Sequence, residues 1–400
     1  MDLETLKSLV VKAETKIVLL VLDGLGGLPG EPGGPTALEA ARTPNLDAVA
    51  AGGVTGLVDL VGVGITPGSG PGHLALFGYD PVRYLIGRGV LEALGIDLEL
   101  APNDVAARGN FCTVDQAGKV TDRRAGRPST ELCIELSGLL DTITVRGADV
   151  IVRPVKEHRF VVCFREEGLS DQLTESDPQR LREAPLKVEA KVPEAERTAG
   201  IVNAFIEQAR SVLKEKHPAN MILLRGFAKH PNLPTFQELY QLRAAAIAVY
   251  PMYRGLGKLA GMEALATESS VKEEFEVVHQ HWKAYDFFYV HVKGTDTAGE
   301  DGNFQAKVAV IEEVDREIGK LMVLRPDVLV VTGDHSTPAA LKSHSWHPVP
   351  VLLASRWCRP DGVQDFSERG CLQGGLGRLL GKQILPLALA HAQRLTKFGA

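Results

Sequence analysis

"VLVVTGDHST", residues 328–337, is an apolar run that stops abruptly on Asp334 and His335, and "HSWHPVP" follows at 344–350. A Val/Leu run without polar alternation reads as a strand buried on both faces, as in a parallel sheet covered by helices. A Gly-Asp pair alone would be an ordinary turn, but the histidines nearby set this one apart. "KIVLLVLDG" (16–24), "DFFYVHVKGTD" (286–296) and "VPVLLAS" (349–355) have the same texture. Helical patterns lie between them. The clearest is "NFQAKVAVIEEVDREIGKLM" (303–322), whose Phe304, Val308, Ile311, Val314, Ile318 and Leu321 form a stripe expected to be core and nothing more. Strand alternating with helix predicts an α/β fold with a doubly wound, mostly parallel sheet.

The middle of the chain differs. "FREEGLSDQLTESDPQRLREAPLKVEAKVPEAERT" (164–198) is charged, proline-containing and poor in aromatics, the texture of a loop or domain edge. A smaller inserted α/β domain is therefore expected at 109–225, with the main domain formed by 1–108 plus 226–400. The 400 residues, 44% hydrophobic and 24% charged, suffice for two domains with separate cores. A net charge of -6 gives no electrostatic reason to expect a nucleic acid or an anionic membrane as partner. Cys112, Cys133, Cys163, Cys358 and Cys371 are scattered singly, without metal-type or disulfide spacing. "MDLETLKSLVVKAETK" is unlike a signal peptide, and no apolar stretch approaches about 18 residues. These features predict a soluble cytoplasmic protein, compatible with a homo-oligomer.

Asp23, Asp296 and Asp334 each close one of the apolar runs. Ligands of open α/β sheets bind beyond the carboxyl ends of the strands, so three aspartates distant in sequence are expected to converge. Any one alone is more commonly a turn or cap residue. Carboxylates a few ångströms apart repel by roughly 4 kcal/mol per pair at an effective dielectric of 20, so a site built from them calls for bound cations. His335 and His347 add nitrogen donors, a mixed set suited to Mn, Fe, Co or Zn. In "TPGSGPGHLALFGYDP" (66–81), Ser69 lies between Gly68 and Gly70, just before a stretch able to start a helix at His73. Glycines let backbone approach a ligand, and a helix N-terminus favours an anion. Taken by itself the run reads as a surface turn. A serine nucleophile needs a base or metal coordination to activate it.

The chain resembles the alkaline-phosphatase superfamily and, within it, the cofactor-independent phosphoglycerate mutases of the archaeal type. The resemblance rests on "VLDGLGG" (21–27), "TALEAARTPNLD" (36–47), the Ser69 block, "GRGVLEALG" (87–95), "RGNFCTVD" (108–115) and "DRRAGR" (122–127). It continues in "KEHRFVV" (156–162), "YRGLGKLAGM" (253–262), "VKGTDTAGEDGN" (292–303) and "TGDHSTP" (332–338). It implies an alkaline-phosphatase-like core, a phosphoglycerate substrate, and exchange between 3-phosphoglycerate and 2-phosphoglycerate through a phosphoserine, without bisphosphoglycerate. It also implies two divalent metal ions, with Mn favoured and Mg, Co or Zn admissible. One would be held with nucleophile Ser69 by Asp23, Asp334 and His335, and the other by Asp296, the residue four further on, and His347.

That fourth-on residue is usually histidine in the family; here it is Glu300. Asp23, Asp296, Glu300 and Asp334 carry about -4 against +4 from two divalent ions, whereas histidine at 300 would leave about +1. The extra carboxylate should favour harder ions such as Mn or Mg. A substrate with a phosphate and a carboxylate calls for arginine forks. "DRRAGR" offers Arg123, Arg124 and Arg127, and "YRGLGK" offers Arg254 and Lys258. An arginine cluster on its own is more often a solvated face; the resemblance makes this one substrate-binding. Asp122 is expected as the base or positioner on the hydroxyl side, with Arg123 beside it in the catalytic set and His73 and Asn110 as contacts. The inserted domain is expected to exclude water, which would separate a mutase from a phosphatase. Two alternatives remain: a phosphomonoesterase or phosphopentomutase of the same superfamily, and a catalytically retired binding protein.

Overall fold

All four apolar runs are strands in the computed structural model of the chain, which describes residues 2–231, 233–268 and 270–399. The first strands in chain order are β1 Ile17–Leu22, β2 Val54–Asp59, β3 Val105–Val114, β4 Val120–Asp122 and β5 Asp149–Lys156. Then come β6 Arg159–Arg165, β7 Met221–Lys229, β8 Ala244–Ala248 and β9 Glu263–Leu265. The last four are β10 Phe287–Val292, β11 Val328–Thr332, β12 Val349–Ser355 and β13 Gly377–Leu380. They divide between two compact units, Met1–Leu85 with Leu233–Ala400, and Ile86–Asn232.

The first unit holds one sheet in the order β13-β2-β12-β11-β1-β10-β8-β9. β11, β1, β10, β8 and β9 run parallel, β12 is antiparallel to both β11 and β2, and β13 returns parallel to β2. Every residue of β1, β10 and β11 is buried, as uninterrupted apolar runs require. Register sets the geometry that matters for function. Leu22 lies opposite Val292 and Val21 opposite Thr332, so β11, β1 and β10 end level and the segments leaving them emerge side by side.

The helix Phe304–Val323 buries Val308, Ile311, Val314, Ile318 and Leu321, as its spacing predicts, whereas Phe304 at its first position is only half-buried. It buries Lys307 as well, so the expectation of a purely apolar stripe needs correcting. The Lys307 ammonium donates to the carbonyls of Gly24 at 2.7 Å, Gly26 at 3.0 Å and Thr337 at 2.9 Å. It thereby ties the loop after β1 to the loop after β11. Burial pushes its pKa down to about 8, the cost of placing an ammonium there.

The second unit is an antiparallel sheet, β4-β3-β6-β5, with β7 also paired to β3. The helices Thr130–Asp141 and Glu196–Leu213 contribute Leu136, Leu140, Val202 and Phe205 to its core, with Phe111, Phe160 and Phe164 from the sheet. Val105 pairs with Lys229 and Cys112 with Met221, so β3 and β7 belong to this unit as whole strands. A division at 109 and 225 would cut both; the observed one falls at Ile86 and Asn232. Among the described residues no helix is long and apolar enough to cross a membrane.

Candidate active site

Asp23 directly follows β1, Asp334 comes two residues after β11, and Asp296 lies in the first turn of the helix Gly294–Glu300 that follows β10. All three are buried. His335 sits among them, its Nε2 3.2 Å from Asp23 Oδ1 and 3.2 Å from Asp334 Oδ2, its Nδ1 4.0 Å from Asp296 Oδ1. The Thr337 hydroxyl donates to Asp296 Oδ1 at 2.6 Å. Each aspartate has one oxygen tied by the protein on its far side. Asp23 Oδ2 accepts from Lys293 at 3.0 Å, Asp296 Oδ2 from Lys293 at 2.6 Å, and Asp334 Oδ1 from the Gly24 N–H at 3.1 Å. Asp23 Oδ1 and Asp334 Oδ2 are buried and receive no hydrogen bond. A buried polar atom left in that state costs about 1–3 kcal/mol or more when charged, and two facing one imidazole fit a divalent cation as partner.

The helix Ser69–Leu76 begins at Ser69 itself, one turn earlier than the His73 start expected from sequence. Ser69 Oγ therefore stands at a helix N-terminus, 3.2 Å from His335 Nε2. His73, on the next turn, places Nδ1 2.8 Å from the Ser69 carbonyl and 3.2 Å from Asp334 Oδ2, fastening the helix to the end of β11. Gly72 permits that approach, because a Cβ there would lie inside van der Waals contact with the Asp334 carbonyl. Burial alone would lower the pKa of His335, but Asp334 and Asp23 outweigh it and raise the imidazole to about 9. Burial would raise that of Asp23, yet Lys293, His291 and His335 hold it well below the usual carboxylate range.

Two groups of donors are close enough to share an ion: Asp23, Asp334 and His335, and Asp296, His335 and His344. His344, which sequence reasoning passed over, stacks on His335 with ring centroids 3.6 Å apart. Its Nε2 is 3.7 Å from Asp296 Oδ1 and 3.9 Å from Glu300 Oε1. The expected ligand His347 is in neither group; its Nδ1 lies 3.0 Å from the Ser345 hydroxyl and its ring stacks on Trp346. An antiparallel bridge between Ser336 and Ser345 brings the segment that carries His344 alongside the loop after β11. Glu300 stands at the edge, near His344 but itself a member of neither donor group.

Arg254 and Lys258 lie on the helix Pro251–Leu259, whose Tyr253 stacks on His291 at 3.6 Å. In the second unit, Asp122 accepts from the N–H groups of Arg124 at 2.8 Å and Gly126 at 2.7 Å, curling "DRRAGR" into a turn with positive φ at Ala125, Gly126 and Arg127. Arg123 is already engaged, with both fork nitrogens on Asp177 at 3.0 and 2.6 Å. Asn110 Oδ1 accepts from Arg108 at 3.4 Å. The unit is richer in arginine than its motif suggested. His158 is pushed down to about 3 by burial and then by Arg159, Arg108, Arg124 and Arg127, a concentration of positive charge suited to an anion. Arg108 and Arg159 stand singly in β3 and β6, without the clustering that marks "DRRAGR".

The family model described as 2,3-bisphosphoglycerate-independent phosphoglycerate mutase matches residues 50–220. A protein of Thermus thermophilus named probable 2,3-bisphosphoglycerate-independent phosphoglycerate mutase is 52% identical over 406 residues, covering 100% of both chains. One of the same name from Thermotoga neapolitana is 52% identical over 394 residues, 98% of each. Among solved structures, a Pyrococcus horikoshii protein matches with a TM-score of 0.84 at 31% identity, over 97% of this chain and 100% of its own. A cofactor-independent phosphoglycerate mutase from Thermoplasma acidophilum matches with a TM-score of 0.69 at 31% identity, over 94% and 100%.

Proposed function

The chain belongs to the 2,3-bisphosphoglycerate-independent phosphoglycerate mutases, and from that premise we propose that it exchanges 3-phosphoglycerate and 2-phosphoglycerate through a phosphoserine on Ser69, at a site for two divalent cations. The observation that carries this is Ser69 Oγ at a helix N-terminus, 3.2 Å from His335 and next to two buried carboxylate oxygens that lack hydrogen bonds. Cations held by Asp23, Asp334 and His335 and by Asp296 and His344, with Glu300 at the rim, would offset charge on the phosphoryl oxygens and favour the ionised serine. A donor set this rich in carboxylate favours Mn, ahead of Zn or Co.

Ser69 Oγ would attack phosphorus in line, breaking the bond to the glycerate oxygen, which takes up a proton. The retained glycerate would turn, and its other hydroxyl would give up its proton, balancing the one taken up in the first step, attack the phosphoserine phosphorus and release Ser69. The N-terminal N–H groups of the helix Ser69–Leu76 and its positive dipole end favour the transferring anion. His73 fixes that helix rather than touching substrate. Arg124, Arg127 and Asn110, with Arg254 and Lys258, are assigned to the substrate's phosphate and carboxylate oxygens. Asp122 acts by shaping the turn that presents those arginines, and Arg123 by bracing it on Asp177.

The test is to strip the protein of metal, restore Mn, Mg, Co or Zn separately, and follow 3-phosphoglycerate by phosphorus NMR without added bisphosphoglycerate. A metal-dependent mixture with 2-phosphoglycerate is expected, and Ser69→Ala should abolish it. Accumulation of free phosphate would make the chain a hydrolase. No turnover with any metal would overturn the proposal.

A further inference from the structure

Lys293 belongs to neither donor group, yet it touches a carboxylate from each. It follows β10 directly, and its ammonium has three protons and three partners: Asp23 Oδ2 at 3.0 Å, Asp296 Oδ2 at 2.6 Å and the Tyr253 hydroxyl at 3.1 Å. His291 Nε2 approaches the same Asp23 Oδ2 at 3.1 Å, and Tyr253 stacks on His291, so the wall behind the ammonium is packed as well as bonded.

The two oxygens of each carboxylate therefore face different ways. Oδ2 is held from behind by Lys293, while Oδ1 faces the imidazoles of His335 and His344. Asp296 Oδ1 accepts the Thr337 hydroxyl but retains a second lone pair. Asp334 shows the same division by other means, with Oδ1 on the Gly24 N–H and Oδ2 without a hydrogen bond. A carboxylate with one oxygen so engaged can give a cation one donor atom. Large Ca²⁺ takes six to eight oxygens and often draws two from one carboxylate; the smaller Mn²⁺, Co²⁺ and Zn²⁺ are satisfied by fewer.

Resting on the two-cation reading above, we infer that Lys293 is a positioning residue that confines Asp23 and Asp296 to one donor oxygen each and so selects small divalent ions over Ca²⁺. Removing the ammonium frees Asp296 Oδ2 to swing in and leaves Asp23 Oδ2 held by His291 alone, which opens the way to the extra oxygens a large ion needs. A residue that merely stabilised the fold would weaken binding of all ions alike; a selecting residue changes their ratio.

The experiment uses metal-stripped full-length protein, with Mn²⁺ binding followed by electron paramagnetic resonance and Ca²⁺ as competitor. In Lys293→Met the affinity of Ca²⁺ relative to Mn²⁺ should rise about tenfold or more, the size expected when a partner behind a metal ligand is removed. Lys293→Gln, neutral but still able to donate, provides a second variant that should shift in the same direction, and Lys293→Arg should stay near the wild-type ratio. An unchanged Ca²⁺-to-Mn²⁺ ratio in both neutral variants, with both ions bound more weakly, overturns the inference. Wild-type protein that binds no Mn²⁺ overturns the cation reading beneath it.

Discussion

Glu300 is where one side chain alters the chemistry most. Its carboxylate stands 3.9 Å from His344 Nε2, close enough for a modest shift to bring it to an ion shared by Asp296 and His344. An imidazole in its place would exchange an oxygen donor for a nitrogen and remove one negative charge. Glu300→His should raise the affinity for Zn or Co relative to Mn by about tenfold, read in a competition titration of metal-stripped protein. An unchanged preference would remove Glu300 from the ligand set. At this scale the sequence was legible wherever a residue ended a buried strand. Asp23, Asp296 and Asp334 could be found because a carboxylate at the end of a run buried on both faces emerges at the crevice where ligands bind. His344 could not be told from His347, because choosing between two histidines three residues apart requires knowing how the Ser336–Ser345 bridge sets their segment alongside the loop after β11. Lys293 and Lys307 were invisible for a different reason. A lysine after a strand or on a helix reads as solvated until its carboxylate or carbonyl partners, contributed by distant segments, are known.

Among the elements, the helix Ser69–Leu76 carries the proposed nucleophile, and close backbone approach fixes its first turn in addition to the apolar packing of Leu74, Ala75 and Leu76. Gly72 lies against the Asp334 carbonyl and His73 Nδ1 lies 3.2 Å from the Asp334 carboxylate, so serine and carboxylate positions are set together. Gly72→Ala would improve helix propensity by roughly 1 kcal/mol. It would also force the helix away from the end of β11, with overpacking costing about 1–3 kcal/mol. The expected result is a near-neutral to modestly lowered melting temperature, with activity reduced by about 100-fold because Ser69 no longer meets the site. Activity close to wild type would show that Ser69 does not depend on this contact. The strand and helix types were legible from periodicity. The helix start was not, because "GSGPG" reads as a turn until its N-terminus is seen against β11.

For the molecule as a whole, stability should carry a pH dependence from a group outside the site. Glu274, on the helix Val271–His281, is 3% exposed, and burial, reinforced by Glu313, raises its pKa to about 9. The folded chain keeps this carboxyl neutral while the unfolded chain ionises it near 4.5, so stability present at low pH is lost as pH rises from there toward 9. Glu274→Gln should therefore stabilise the protein at pH 8 and have much less effect at pH 5, compared in thermal melts of both proteins; an equal effect at both pH values would refute the assignment. An inserted unit was expected from the texture of 164–198, a stretch that lies inside Ile86–Asn232 and marks neither limit; those depend on β3 and β7 pairing as whole strands, which no local signal announces. The central position of β1 has a consequence for biosynthesis. Its two partners are β10 and β11, and Ile17 pairs with Phe287, some 270 residues later. At about 5–20 residues per second, a ribosome would take on the order of ten to fifty seconds to deliver that partner. Throughout that interval the nascent chain exposes a strand apolar on both faces, so the register that gathers Asp23, Asp296 and Asp334 also prolongs the newborn protein's exposure to aggregation.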